Sequence, residues 1–204
     1  MKCPHIPLIR TIIYIISMAF AVPISMISCN SEREENDPQL TFIGDSEVAR
    51  WDVKAFFPEY HTVNKGLSGA GVADIEKMQN AAQDTYAVII LGTNNIHSLT
   101  IEMLSEYADR YVTALERLNG KRTFVFSIFP RNFEGDIPGM NIIIKILNAI
   151  IKEKCLSIPT FTYIDVYSAL EMGDGINPEY SYDGLHLSKQ GYELITWELK
   201  KELR

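Results

Sequence analysis

The chain reads as an α/β protein, a three-layer α/β/α sandwich built on a parallel sheet of about five strands. Short apolar runs of strand length alternate with longer segments of helical period from residue 40 to the end. The stretches between successive strand candidates are long enough to hold a crossover helix, which parallel neighbours require and hairpins do not. With 204 residues, 47% of them hydrophobic, the chain fills one sizeable core and needs no second domain.

The first strand is the apolar run at 40–43, followed by a helical pattern near 47–57. A strand at 61–64 and a helix at 72–82 come next, then a strand at 87–91. The segment 100–118 shows helical spacing well: Ile101, Leu104, Ala108, Tyr111, Val112, Leu115 and Leu118 fall on one face. Strand 123–128, helix 141–154 and strand 160–165 follow. Ser188 is a candidate N-cap for a last helix at 188–203, along which Tyr192, Ile195 and Leu199 repeat. There is no internal repeat and no low-complexity tract. In open parallel sheets, ligands gather at the carboxyl ends of the strands, and the loops after the first four strands share that edge.

Residues 1–28 differ from the rest, with Lys2 and Arg10 as their only charged side chains. A short basic start followed by an apolar stretch has the form of an export signal. Met26-Ile27-Ser28-Cys29 resembles a bacterial lipobox, in which Cys29 is acylated and becomes the new terminus. Ile27 and Met26 depart from that pattern, and the apolar stretch is also long enough for an uncleaved anchor; ordinary secretion is the third possibility. On the lipoprotein reading, 1–28 is the signal, the polar run 29–39 a tether and 40–204 the folded domain, exported and lipid-anchored in a bacterial envelope. The whole chain carries a net charge of −7, and setting aside two leader cations makes the rest more acidic. That balance excludes nucleic acid as a partner and leaves membrane contact to the anchor at Cys29. Oligomeric state is not legible.

The first strand ends in Gly44-Asp45-Ser46, where a glycine permits a sharp turn and a hydroxyl can project from the sheet edge. A serine there needs a base, a group to orient that base and donors for an oxyanion. Asp183-Gly184-Leu185-His186, just before the last helix, offers two of the three. A carboxylate three residues before an imidazole can hold one ring nitrogen protonated while the other faces a nucleophile.

Gly44-Asp45-Ser46, Gly66, Gly92-x-Asn94 and Asp183-x-x-His186, in this order, resemble the signature of the SGNH hydrolase superfamily, the GDSL esterases and lipases. The match spans the body from Leu40 to the last helix. The resemblance implies a flavodoxin-like fold and a serine esterase that needs no cofactor. Ser46 is then the nucleophile, His186 the base and Asp183 its orienter. The oxyanion is held by the backbone N–H groups of Ser46 and Gly66 and by the side-chain amide of Asn94. The implied substrates are acyl esters, here short-chain or carbohydrate-linked, since the compact body has no long apolar insertion to form a lid. Lysophospholipids are the alternative within the family, and a glycan-binding lipoprotein without turnover is the alternative outside it. A base of this kind predicts activity that rises with pH as the imidazole loses its proton.

Two positions depart from the family pattern. Glu47 stands where Gly-Asp-Ser-Leu has leucine, and Asn95 where Gly-x-Asn-Asp has aspartate. Glu47 either points inward, where it disfavours anionic or long apolar acyl chains, or is a solvated first-turn residue suited to the helix dipole. Substrate-binding candidates are Glu47, Asn95, Arg131 and Asn132, with His97, Trp51 and Tyr182 as further pocket residues or packing ones. Gly66-Leu67-Ser68-Gly69-Ala70 falls one residue short of the Gly-x-Ser-x-Gly elbow and reads instead as a turn shaping the oxyanion hole. No cysteine cluster or paired histidines suggest a metal.

Overall fold

The computed structural model describes residues 39–204; the expected leader, Cys29 and most of the expected tether lie outside the described residues. Five parallel strands form the sheet: β1 (Leu40–Gly44), β2 (Thr62–Gly66), β3 (Tyr86–Ile90), β4 (Arg122–Phe126) and β5 (Phe161–Ile164). Their order is β2-β1-β3-β4-β5, with Gly44 in register with Gly66 on one side and Ile90 on the other. This is the α/β sandwich expected from the alternation of strand and helix patterns.

Helices cover both faces. The first face carries α4 (Leu104–Glu116) and α5 (Met140–Leu156). The second carries three helices, α1 (Ser46–Arg50), α2 (Val53–Phe56) and α7 (Lys189–Glu202). The period of two along each strand sorts the core accordingly. Ile43, Ile89 and Val125 pack with Leu104, Tyr111 and Ile144 on the first face. Leu40, Phe42, Val88 and Phe124 pack with Trp51 and Ile195 on the second. That second layer is aromatic: Trp51 meets Phe42 edge-on at 5.1 Å and stacks on Tyr192 at 5.9 Å. Trp51 is therefore a core residue, and its contact with Tyr192 docks α7 against the segment that follows β1.

Two expected helices are shorter than their patterns. The run read as one helix over 47–57 breaks at Trp51, whose backbone turns extended so that the ring can enter the core. Asp52 then starts α2 by accepting the N–H of Ala55 at 3.2 Å. The 72–82 pattern folds only as α3 (Val72–Ile75) and continues as turns, with Asn80 and Asp84 in the left-handed region. The last helix begins where expected, and Ser188 caps it by accepting the Gly191 N–H at 3.2 Å. Before it come α6 (Tyr167–Leu170) and a two-stranded antiparallel pair, β6 (Glu171–Met172) and β7 (Gly175–Ile176), which no periodicity announced.

Candidate functional site

Ser46 is the first residue of α1, directly after β1, and is 7% exposed. Its Oγ lies 3.1 Å from Nε2 of His186. The Nδ1 of His186 lies 2.6 Å from Oδ2 of Asp183. A carboxylate can only accept, so Nδ1 carries the ring proton and Nε2 presents a lone pair to the serine hydroxyl. The other oxygen of Asp183 accepts the N–H groups of Leu185 at 3.0 Å and His186 at 2.7 Å. Burial alone would raise the Asp183 carboxyl, but the hydrogen bonds from the imidazole and these two N–H groups outweigh it and hold it below its ordinary value. It stays ionised beside the ring.

The loop carrying both residues is built tightly. Ser181 and Leu187 form an isolated antiparallel bridge, and the Ser181 hydroxyl donates to the carbonyl of His186 at 2.8 Å. Gly184, with φ at +78°, accepts the N–H of Asn132 at 2.7 Å. A Cβ on residue 184 would lie 2.1 Å from the Asn132 carbonyl oxygen, so only glycine closes this approach. Tyr182 is exposed and stacks on the His186 ring at 5.9 Å, while its hydroxyl accepts from Arg50 on α1.

Three separate segments could supply donors for an oxyanion. The N–H of Ser46, at the start of α1, has no intrachain acceptor among the described residues. Asn94 is exposed in the loop after β3, and its Nδ2 donates one hydrogen to the carbonyl of Ala70 at 2.9 Å, leaving the second free. That contact sets Asn94 against Ala70, the residue after Gly69. The Gly66 N–H is spent on Oδ1 of Asn64 at 2.8 Å, and a Cβ there would collide with the backbone of Ala49 at 2.2 Å. Gly66 is thus a packing glycine under α1. Gly69 instead occupies the third position of a turn closed from the Ala70 N–H to the Leu67 carbonyl, with φ at +79°. Its N–H has no acceptor among the described residues. With its N–H taken by Asn64, Gly66 does not offer the backbone donor expected of it.

The substrate-binding candidates divide. Asn132 is exposed and lines a groove of about 420 Å³ with Phe133, Asn141, Lys145, Glu171 and Asp174. Asn95 is committed to the fold, its Oδ1 accepting the Val72 N–H at 3.2 Å and the Tyr107 hydroxyl at 3.0 Å. Arg131 is 4% exposed and its donors are spent. It pairs with Asp136 through Nε at 2.9 Å and Nη2 at 2.7 Å, and donates to the Thr93 carbonyl at 3.1 Å. It braces the loops after β3 and β4, with His97 at its Nη2, and offers a ligand nothing. Glu47 is neither solvated nor open to substrate: it is 3% exposed, and Oε2 accepts the Leu187 N–H at 3.2 Å and the Tyr192 hydroxyl at 3.1 Å.

Two buried carboxyls therefore flank the serine. Burial pushes Asp45 up to about 7 from 3.8, against the lowering effect of the Glu47 N–H it accepts. Burial likewise pushes Glu47 up to about 8 from 4.5, against the Leu187 N–H and with the neighbouring Asp45 adding to the rise. The unfolded chain gives up these protons near its ordinary carboxylate values, while the folded chain keeps them to about 7 and 8. The folded state thus binds more protons, and stability falls as pH rises from about 5 to about 8, by at most roughly 1.4 kcal/mol per pH unit for each group. Thermal unfolding at pH 5, 6.5 and 8 should show a declining midpoint, with a shallower decline in Glu47→Gln. A midpoint that rises over this range contradicts the assignment.

A serine on a strand-to-helix turn, a carboxylate-oriented histidine and free amide donors thus lie on the same sheet edge. The sequence profile of the GDSL-like lipase/acylhydrolase family matches residues 42–194, three-quarters of the chain, and the protein belongs to that family. No relative matches among curated proteins. Solved structures share the fold at low identity. A GDSL-like lipase from Bacteroides thetaiotaomicron is 19% identical with a TM-score of 0.66, over 81% of this chain and 87% of that one. A member of the lipolytic G-D-S-L family from Veillonella parvula gives 19% and 0.65, over 80% and 96%. An acetylxylan esterase from Geobacillus stearothermophilus gives 19% and 0.60, over 81% and 94%.

Proposed function

We propose that the protein is a cofactor-independent serine esterase that removes short acyl groups from a carbohydrate or similarly polar alcohol. The observation that carries this is the line from Ser46 Oγ to His186 Nε2 at 3.1 Å and on from Nδ1 to Asp183 at 2.6 Å. In the acylation step Oγ bonds to the ester carbonyl carbon and its proton passes to Nε2. The resulting oxyanion is met by the N–H groups of Ser46 and Gly69 and by Asn94 Nδ2. Collapse breaks the carbon–oxygen bond to the alcohol, which leaves with the proton from Nε2. Water then attacks the acyl-enzyme, giving its proton to His186 and releasing the acid, and the serine takes the proton back.

Two features support the choice of substrate. The groove reached past Asn132 presents an exposed aromatic, amides and charged groups together, the mixture suited to a hydroxylated leaving group. One structural relative is an acetylxylan esterase. Lipid anchoring at Cys29 in a bacterial envelope is part of this proposal.

The test is a substrate panel with the purified protein: acetylated oligosaccharides, short and long p-nitrophenyl esters, and lysophospholipid, alongside labelling by a fluorophosphonate. Acetate release with steeply falling rates on longer acyl chains is the expected result. Fatty acid released from lysophospholipid with no deacetylation overturns the substrate assignment, and failure to label overturns the serine esterase itself.

A further inference from the structure

Nucleophile and base come from positions 140 residues apart, so something must fix the distance between their backbones. Asp183 cannot do so, because it orients His186 from within the same loop. Asn132 and Ser181 tie that loop to the β4 side and to itself. Two contacts tie it to α1, the helix that starts at Ser46. One, from Arg50 to the Tyr182 hydroxyl, is exposed. The other is buried and runs through Glu47.

From its place next to Ser46, Glu47 accepts with Oε2 the N–H of Leu187, the residue next to His186. The same oxygen accepts the hydroxyl of Tyr192 on α7, which also donates to the Glu47 backbone carbonyl at 2.8 Å. One carboxyl thus joins the neighbour of the nucleophile, the neighbour of the base and the C-terminal helix. Leucine, which the family pattern has here, offers no acceptor to any of them. The other oxygen, Oε1, is buried with no hydrogen-bond partner, a cost the fold carries at this position.

We infer that Glu47 is a positioning residue for the reaction: a buried clamp that sets the approach of His186 to Ser46 by holding Leu187 and Tyr192 to the start of α1. The inference rests on the serine esterase reading and adds to it a residue that touches neither substrate nor the reacting atoms. Burial leaves the Glu47 carboxyl mostly protonated near pH 7, so a neutral acceptor performs the task and glutamine reproduces it.

The experiment compares wild type, Glu47→Leu and Glu47→Gln in the folded protein, each checked by circular dichroism and thermal unfolding. The readouts are kcat and KM on p-nitrophenyl acetate and the rate of fluorophosphonate labelling. A misplaced base costs about 10²-fold, so Glu47→Leu should lose about that factor in kcat and in labelling rate while KM changes little. Glu47→Gln should recover most of the loss. In a His186→Ala background, Glu47→Leu should cost nothing further, because no imidazole remains to be aimed. Full kcat in folded Glu47→Leu, or an equal loss from it with and without His186, overturns the clamp. Should Glu47→Leu not fold, Tyr192→Phe removes one arm only and must still lower kcat at constant KM; an unchanged kcat rejects the idea. If wild type itself neither turns over nor labels, the esterase reading falls and takes the clamp with it, whereas a loss confined to the variants leaves that reading standing.

Discussion

Ser46→Ala is expected to lower kcat on p-nitrophenyl acetate by roughly 10⁵–10⁶-fold, the largest effect of any single substitution in this chain. On the proposed mechanism the Oγ at 3.1 Å from His186 Nε2 is the atom that forms the acyl bond, and alanine leaves the oxyanion donors with no nucleophile to serve. Fluorophosphonate labelling should vanish with turnover. Ser68 supplies the contrast, since it sits exposed in the turn before Gly69 and, among the described residues, hydrogen-bonds no histidine. Ser68→Ala that kills activity while Ser46→Ala spares it would overturn the assignment of the nucleophile.

The next largest effect is expected from Asp183→Asn, a loss of about 10⁴-fold in kcat. The reason is steric as well as electrostatic. Oδ1 accepts two backbone N–H groups, from Leu185 and His186, so the amide oxygen of asparagine must take that place. The amide nitrogen then faces Nδ1 of the ring, where Oδ2 stood at 2.6 Å. Two donors cannot meet there, and the imidazole is driven to the tautomer whose Nε2 carries the proton. That nitrogen can no longer accept from Ser46. Steady-state kinetics settles the matter, and a loss of only a few-fold would mean the ring is oriented by something other than Asp183.

Much of this was legible from residues alone, because it depends on local pattern. Gly44-Asp45-Ser46 closes an apolar run, and Asp183 and His186 are three residues apart in one loop, so both stood out as candidates without knowledge of long-range packing. The strand and helix alternation fixed the sheet for the same reason. What was hidden depends on contacts between distant segments. Gly66 and Gly69 look alike in sequence, and only the meeting of Asn94 with Ala70 and of Gly66 with Ala49 tells them apart. Arg131 reads as a loop cation until Asp136 and Thr93 are seen to take its hydrogens. Glu47 reads as an exposed first-turn acid because its partners are 140 and 145 residues further along. Trp51 interrupts a helical pattern because its ring belongs to the aromatic layer beneath α7, which periodicity does not reveal.

The separation between Ser46 and His186 also has a temporal side. A ribosome makes the hydroxyl 140 residues before the imidazole, and until the second arrives the first is an ordinary alcohol with nothing to take its proton. On the chemistry proposed above, a nascent chain that has not yet reached His186 is harmless to every ester it meets, and reactivity waits on the folding that joins the two segments. The order of the elements along the chain thus acts as a safety catch during synthesis.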